Sequence, residues 1–161
     1  MISVLHSAKS PGNRYDGAPA CEPTMPLQPP RYTAQATTAS PLGDIRLVCT
    51  EAGLAGAWFI DGQTDDPGPF AGVPVDPQNN TLQQAAAQFD RYWRGQLTTF
   101  DLPLDPQGTT FQIAVWRALL EIPFGATLSY GDIATRIGQP KAYQAVGMAV
   151  GANPLIVIVP C

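Results

Sequence analysis

"TLSYGDIATRIGQPKAYQAVGMAVGANP", residues 127–154, decides the fold. Ser129 is placed to cap a short helix, "YGDIATRI", with Asp132 at its third position, where a carboxylate meets the positive end of the helix dipole. Gly138 ends that helix. Pro140 suits the first position of the next, "PKAYQAVGMAVGA", because an N–H there has no partner to lose. Two short helices joined by a glycine-containing turn form a helix-turn-helix, whose second helix commonly reads DNA. Composition bears on the reading: Ala142, Ala145, Gly147, Ala149 and Gly151 leave the second helix almost without bulk. A helical glycine costs about 1 kcal/mol relative to alanine. Close approach of the backbone to a groove, or to the preceding helices, is a physical reason to accept that cost.

Upstream, "TTFQIAVWRALLEI" reads as an amphipathic helix ended by Pro123, with Phe111, Trp116 and Leu119 in the core, and "PFGAT" as a turn. Further back, "RYTAQATTA", "DIRLVCT" and "LAGAWFI" read as three strands separated by the turns "SPLG" and "EAG", an antiparallel meander. Residues 61–80 form a Gly/Pro/Asp-rich loop. Thr81 offers an N-cap hydroxyl with Gln84 three residues on, and Leu82, Ala85, Ala86, Phe89, Tyr92 and Trp93 follow on one helical face, stopped by Gly95. The predicted fold class is α+β: a small antiparallel sheet with a helix, then a helical, winged-helix-like domain. The predicted boundaries are a disordered Pro-rich tail over 1–30, a sheet-plus-helix domain over 31–104 and the helix-turn-helix domain over 105–161.

Downstream lies "LIVIVPC", residues 155–161, an uncharged branched run followed by Pro160 and Cys161. It reads as a strand. Such a run pairs with copies of itself when left exposed, so the expectation is a monomer with a risk of self-association through its C-terminal end.

A chain of 161 residues has room for one core or two small ones, and its 45% hydrophobic and 14% charged content suits a soluble globular protein. No apolar run approaches a membrane span, and the N-terminal apolar patch is too short for a signal-peptide core, which points to the cytoplasm. The 3 cysteines, Cys21, Cys49 and Cys161, are odd in number and far apart, and the 1 histidine, His6, falls in the tail. That pattern fits free thiols in a reducing compartment and offers no metal site. Cys49, inside a strand, reads as a buried structural thiol. Net charge is -4, which argues against bulk electrostatic attraction to nucleic acid. The distribution is uneven, however: residues 1–110 hold six basic and eleven acidic side chains, residues 111–161 three basic and two acidic. Any contact with DNA falls on the C-terminal third.

Over residues 108–161 the chain resembles the active-site domain of the methylated-DNA–protein-cysteine methyltransferases, or alkylguanine-DNA alkyltransferases. The residues that carry the resemblance are FQ, VW and AL in the first helix, then IP-G-T-SYG-IA, the AVG step, NP and the final PC. "SPLG" and "GLAGAWF" suit that family's N-terminal sheet domain, so the resemblance spans about residues 32–161. It implies DNA repair by direct reversal. An alkyl group passes from O-6 of guanine, or O-4 of thymine, to the protein's own cysteine, irreversibly and without a cofactor. It also implies binding in the minor groove of double-stranded DNA and flipping of the alkylated base, because the alkyl carbon is out of reach inside the stack. A thiolate suits the attack on a small alkyl carbon.

By position, the resemblance implies that Cys161 is the alkyl acceptor. It likewise implies that Tyr130 rotates the target phosphate and assists proton transfer to guanine, and that Asn153 joins the recognition helix to the active-site segment and bonds within the thiol network. Ala142, Ala145 and Gly147 let that helix enter the groove, with Lys141 and Gln144 beside them. Two of these also have purely structural readings: Tyr130 as a first-turn packing residue and Asn153-Pro154 as a helix-terminating turn. The sequence departs from the family twice. Gln144 stands where the family has an intercalating arginine. The family also continues past the cysteine with His-Arg and a later glutamate, whereas the sequence stops at Cys161. Impaired transfer is the expectation, since an unassisted thiol of pKa ~8.5 is only a few per cent ionised at neutral pH. An alternative is a non-catalytic module like the alkyltransferase-like proteins, which recognise alkylated bases but lack the cysteine retained here. A third is a transcription regulator using the helix-turn-helix alone.

Overall fold

The computed structural model describes residues 2–3, 7–8, 32–60, 70–123 and 125–160. The N-terminal part contributes strands β1 (Ile2–Ser3), β2 (Ser7–Ala8), β3 (Ala34–Thr38), β4 (Ile45–Cys49) and β5 (Leu54–Phe59), then helix α1 (Asn80–Trp93) and strand β6 (Thr99–Phe100). Helix α2 (Thr110–Leu120), strand β7 (Thr127–Leu128) and helices α3 (Tyr130–Arg136) and α4 (Tyr143–Gly151) follow. The class is α+β, as expected from the sequence.

Strands β3, β4 and β5 form the antiparallel meander, with Ala36 opposite Leu47 and Leu47 opposite Ala57. Alternation, interrupted where the β4–β5 register shifts between Val48 and Cys49, divides their side chains. Ile45, Leu47, Cys49, Leu54 and Ala57 enter the main core, while Val48, Ala55 and Trp58 form a second cluster with Tyr32 and Phe70 on the other face. Gly56 is required there: a Cβ at that position would collide with the Trp58 ring. Helix α1 buries Leu82, Ala85 and Phe89, on the face read from the sequence, and Gly95 at φ 68 ends it.

The cap of α1 differs from expectation. Asn79, not Thr81, caps it, its Oδ1 accepting from the Thr81 and Leu82 amides at 3.0 and 3.3 Å. The same oxygen accepts from the Cys49 thiol at 3.6 Å, so a contact with the sheet sets the start of the helix. Cys49 is fully buried, as expected.

In the N-terminal stretch read as a tail, β1 pairs antiparallel with β7 and β2 pairs parallel with β6. The rest of residues 1–30 lies outside the described residues, His6 and Cys21 among them, as do residues 61–69 of the loop read over 61–80.

The outer edge of β5 receives the C-terminal part of the chain. Leu54 N–H donates to Pro103 O at 2.8 Å and Asp105 N–H to Leu54 O at 2.8 Å. Ala57 N–H donates to Pro154 O at 2.7 Å, and Ile156 N–H to Ala57 O at 3.3 Å. Edge amides that would otherwise need water are thereby paired, and the segment after α4 is anchored to the sheet.

That segment corrects the strand reading of "LIVIV". Only Leu155 makes a bridge, parallel to Ala57. The chain then turns, with Val159 N–H donating to Leu155 O at 2.9 Å and Val157 in a left-handed conformation at φ 67. For a β-branched residue that conformation costs about 1–2 kcal/mol and requires support from its surroundings. Nor is the run exposed: Leu155, Ile158 and Val159 are 0–1% accessible. The core covers the apolar residues that were expected to promote self-association.

Candidate functional site: the helix-turn-helix and the segment after it

Helix α2 is the platform. Thr109 caps it in a full capping box with Gln112, and Val115, Trp116, Ala118 and Leu119 are buried. Trp116 Nε1–H donates to Ala149 O at 2.8 Å, inside the core, and so fixes α4 against α2. The sequence marked Trp116 as core but gave no sign of this bond.

Helix α3 begins as the sequence predicted. The Ser129 N–H and hydroxyl donate to Asp132 Oδ2 at 2.8 and 2.6 Å, and the Asp132 N–H donates back to Ser129 Oγ at 3.1 Å. These bonds hold the Asp132 carboxyl below its ordinary value, with a smaller contribution from the Arg136 charge. The cap orients the first helical residue, Tyr130, whose ring lies over α4. A Cβ at Gly147 would sit 3.2 Å from Tyr130 Cε2 and 3.4 Å from Cδ2. Gly147 therefore serves this contact first. Tyr130 is 38% exposed, so its packing and a surface role coexist.

Helix α4 starts later than expected, at Tyr143 rather than Pro140. Ala142 N–H donates to Gln139 O at 2.8 Å, closing a turn in which Pro140 takes the second position, where its fixed φ is favourable. No side chain caps α4, so its first amides are left for solvent or a ligand. Its inner face is buried through Val146, Ala149 and Val150. Lys141, Gln144 and Ala145 are exposed, while Ala142 and Gly147 are half-buried. The same outward face carries Met148, 78% exposed, and Tyr143, 53% exposed, neither of which the sequence reading singled out. Their signal was present in the helical spacing, since Met148 follows Gln144 by one turn.

Asn153 closes the site. It is 8% exposed, and its Nδ2 donates to Val159 O at 2.9 Å and Leu155 O at 3.3 Å, while its Oδ1 accepts from Leu155 N–H at 2.9 Å. One buried side chain thus ties the end of α4 to a carbonyl two residues before Cys161. Cys161 itself lies outside the described residues. Among the described residues, no group of His, Cys, Asp or Glu side chains is placed to hold a metal, and no helix is long and apolar enough to cross a membrane.

Two family profiles match this architecture. Residues 34–106 match the ribonuclease-like domain of 6-O-methylguanine DNA methyltransferase, and residues 110–161 match its DNA binding domain. The chain belongs to the 6-O-methylguanine DNA methyltransferase family.

Similar members of this methyltransferase family include the methylated-DNA–protein-cysteine methyltransferase of Methanosarcina barkeri, 44% identical over 124 residues, or 76% of this chain and 75% of that one. The Mycobacterium leprae protein of the same name is 43% identical over 122 residues, covering 76% and 72%. Among solved structures, the Mycobacterium tuberculosis O6-methylguanine methyltransferase superposes with a TM-score of 0.69 at 41% identity, covering 80% of this chain and 75% of that one. The structure titled as M. tuberculosis OGT in complex with DNA gives 0.69 at 40% identity, covering 80% and 76%. The methyltransferase DNA-binding profile spans every residue placed on α3, α4 and the Asn153 segment.

Proposed function

We propose that the protein repairs alkylated duplex DNA by moving the alkyl group of O6-alkylguanine, or O4-alkylthymine, onto Cys161. The observation that carries this reading is the Asn153 clasp. It couples the end of helix α4 to the Val159 carbonyl, two residues before Cys161, so that a helix seated in the minor groove is tied to the segment that leads to the acceptor. Lys141, Gln144, Ala145 and the α4 amides face the DNA, and Ala142 and Gly147 keep the backbone close to it. Tyr130, packed over Gly147 and partly exposed, is the residue that turns the target phosphate in this reading.

In the reaction the Cys161 sulfur attacks the alkyl carbon, forming the S–C bond as the C–O6 bond breaks. The electron pair stays on the guanine, and the proton lost by the thiol ends on the base. Tyr130 supplies a hydroxyl for that proton's passage. The products are an S-alkylcysteine and an unmodified guanine. No cofactor enters the balance, and the protein is consumed in one turnover.

The test is intact-mass and peptide analysis after incubating the full natural chain with a duplex containing one O6-methylguanine. One methyl group on Cys161, with guanine restored in the DNA, is the expected result. Tight binding of the methylated duplex with no transfer would instead support the non-catalytic recognition module.

A further inference from the structure

We propose that Met148 is an apolar wedge, inserted from the minor groove at the base step beside the flipped nucleotide. The proposal rests on the reading of α4 as the DNA-facing helix and adds a positioning residue to it.

Among the described residues, Met148 is the most exposed large apolar side chain, at 78%. It sits in the middle of the outward stripe of α4, one turn after Gln144 and one turn before Gly151 and Ala152, all of them exposed. Its neighbours at helical spacing are small (Ala145, Gly151, Ala152) or polar (Gln144), and the exposed Tyr143, five residues before it, lies off that row, so the flexible thioether has no large apolar neighbour along it. That composition favours DNA over a protein partner. A protein docking surface needs a contiguous apolar area, which one methionine between an amide and two nearly bare backbone positions does not make. A minor-groove wedge needs one projecting apolar chain, small neighbours that let the helix approach, and a nearby cation, here Lys141. The helix is rigid enough to drive such a wedge, because Trp116 holds Ala149, the next residue, from behind. Gln144, a turn away, then has its amide free for the base left unpaired.

The probe is a duplex with 2-aminopurine next to O6-methylguanine, whose fluorescence rises when that step is unstacked, read together with affinity by anisotropy. The full natural chain is compared with Met148→Ala, Met148→Leu and Ala145→Glu. Met148→Ala should lose most of the fluorescence rise and bind about tenfold more weakly, the equivalent of about half the burial energy of one methionine. Met148→Leu should restore both. Ala145→Glu, which puts a carboxylate on the same stripe, should abolish binding. A normal fluorescence rise in Met148→Ala, with Ala145→Glu unable to bind, overturns the wedge alone. Unchanged binding by Ala145→Glu overturns the DNA-facing reading of α4 and the wedge with it.

Discussion

Replacing Asn153 with alanine removes three hydrogen bonds at once and tests the clasp directly. The side chain satisfies the Leu155 N–H and Leu155 and Val159 carbonyls in a region closed to water, with Asn153 itself 8% exposed. A buried group left without its partner costs about 1–3 kcal/mol. The Leu155 N–H and the Val159 carbonyl make the shorter bonds, and the Leu155 carbonyl keeps its bond from Val159 N–H. Two orphaned groups therefore suggest a loss of about 2–6 kcal/mol, a large share of a typical ~5–15 kcal/mol. For a chain of this size, each kcal/mol lowers Tm by about 2–4 °C, so a fall of roughly 4–24 °C is expected. Calorimetry and urea unfolding measure it, with the urea midpoint moving and the slope unchanged. Asn153→Asp should be at least as damaging, since a carboxylate would face two carbonyl oxygens. An Asn153→Ala protein that melts with the wild type would refute the clasp.

Gln144→Arg should tighten binding to duplex DNA at low salt and steepen its salt dependence by about one unit of slope, as one added phosphate-neutralising cation requires; anisotropy titrations at several salt concentrations measure both. Gly147→Ala should raise stability by about 0.5–1 kcal/mol through helix propensity yet weaken DNA binding, because the new Cβ, 3.2 Å from the Tyr130 ring, displaces it. Thermal melts and binding curves moving in the same direction would contradict that. Asp132 titrates below its ordinary 3.8 in the folded protein, so its contribution is present above 3.8 and is lost as pH falls through the lowered folded value. The stability gap between wild type and Asp132→Ala should accordingly close below pH 3.8 in acid-unfolding curves, and a gap that widens there would be the wrong sign.

What the sequence revealed follows from how local each determinant is. The Ser129–Asp132 cap lies within four residues and was legible from spacing alone, as was the apolar face of α1. The α1 cap was not, because Asn79 and Thr81 both suit the role and a bond from Cys49, 30 residues away, decides between them. Pro140 fits a helix start and the second position of a turn equally well, and only the Ala142–Gln139 bond separates the two. The run at 155–159 has strand composition, yet Asn153 competes for its carbonyls and turns it, an interaction that β-propensity does not contain. At the site, motif residues were named by resemblance, whereas Met148 belongs to no motif: its spacing from Gln144 was legible, but its exposure was not.

The most direct test of the central claim is the identity and stoichiometry of the modified residue. The full natural chain, mixed with an excess of duplex carrying isotopically labelled O6-methylguanine, is digested and mapped by mass spectrometry. The account predicts one label per chain, on Cys161, with none on the buried Cys49 and none anywhere in Cys161→Ala. Label on another residue, or DNA demethylated in excess of protein while Cys161 stays unmodified, would contradict it.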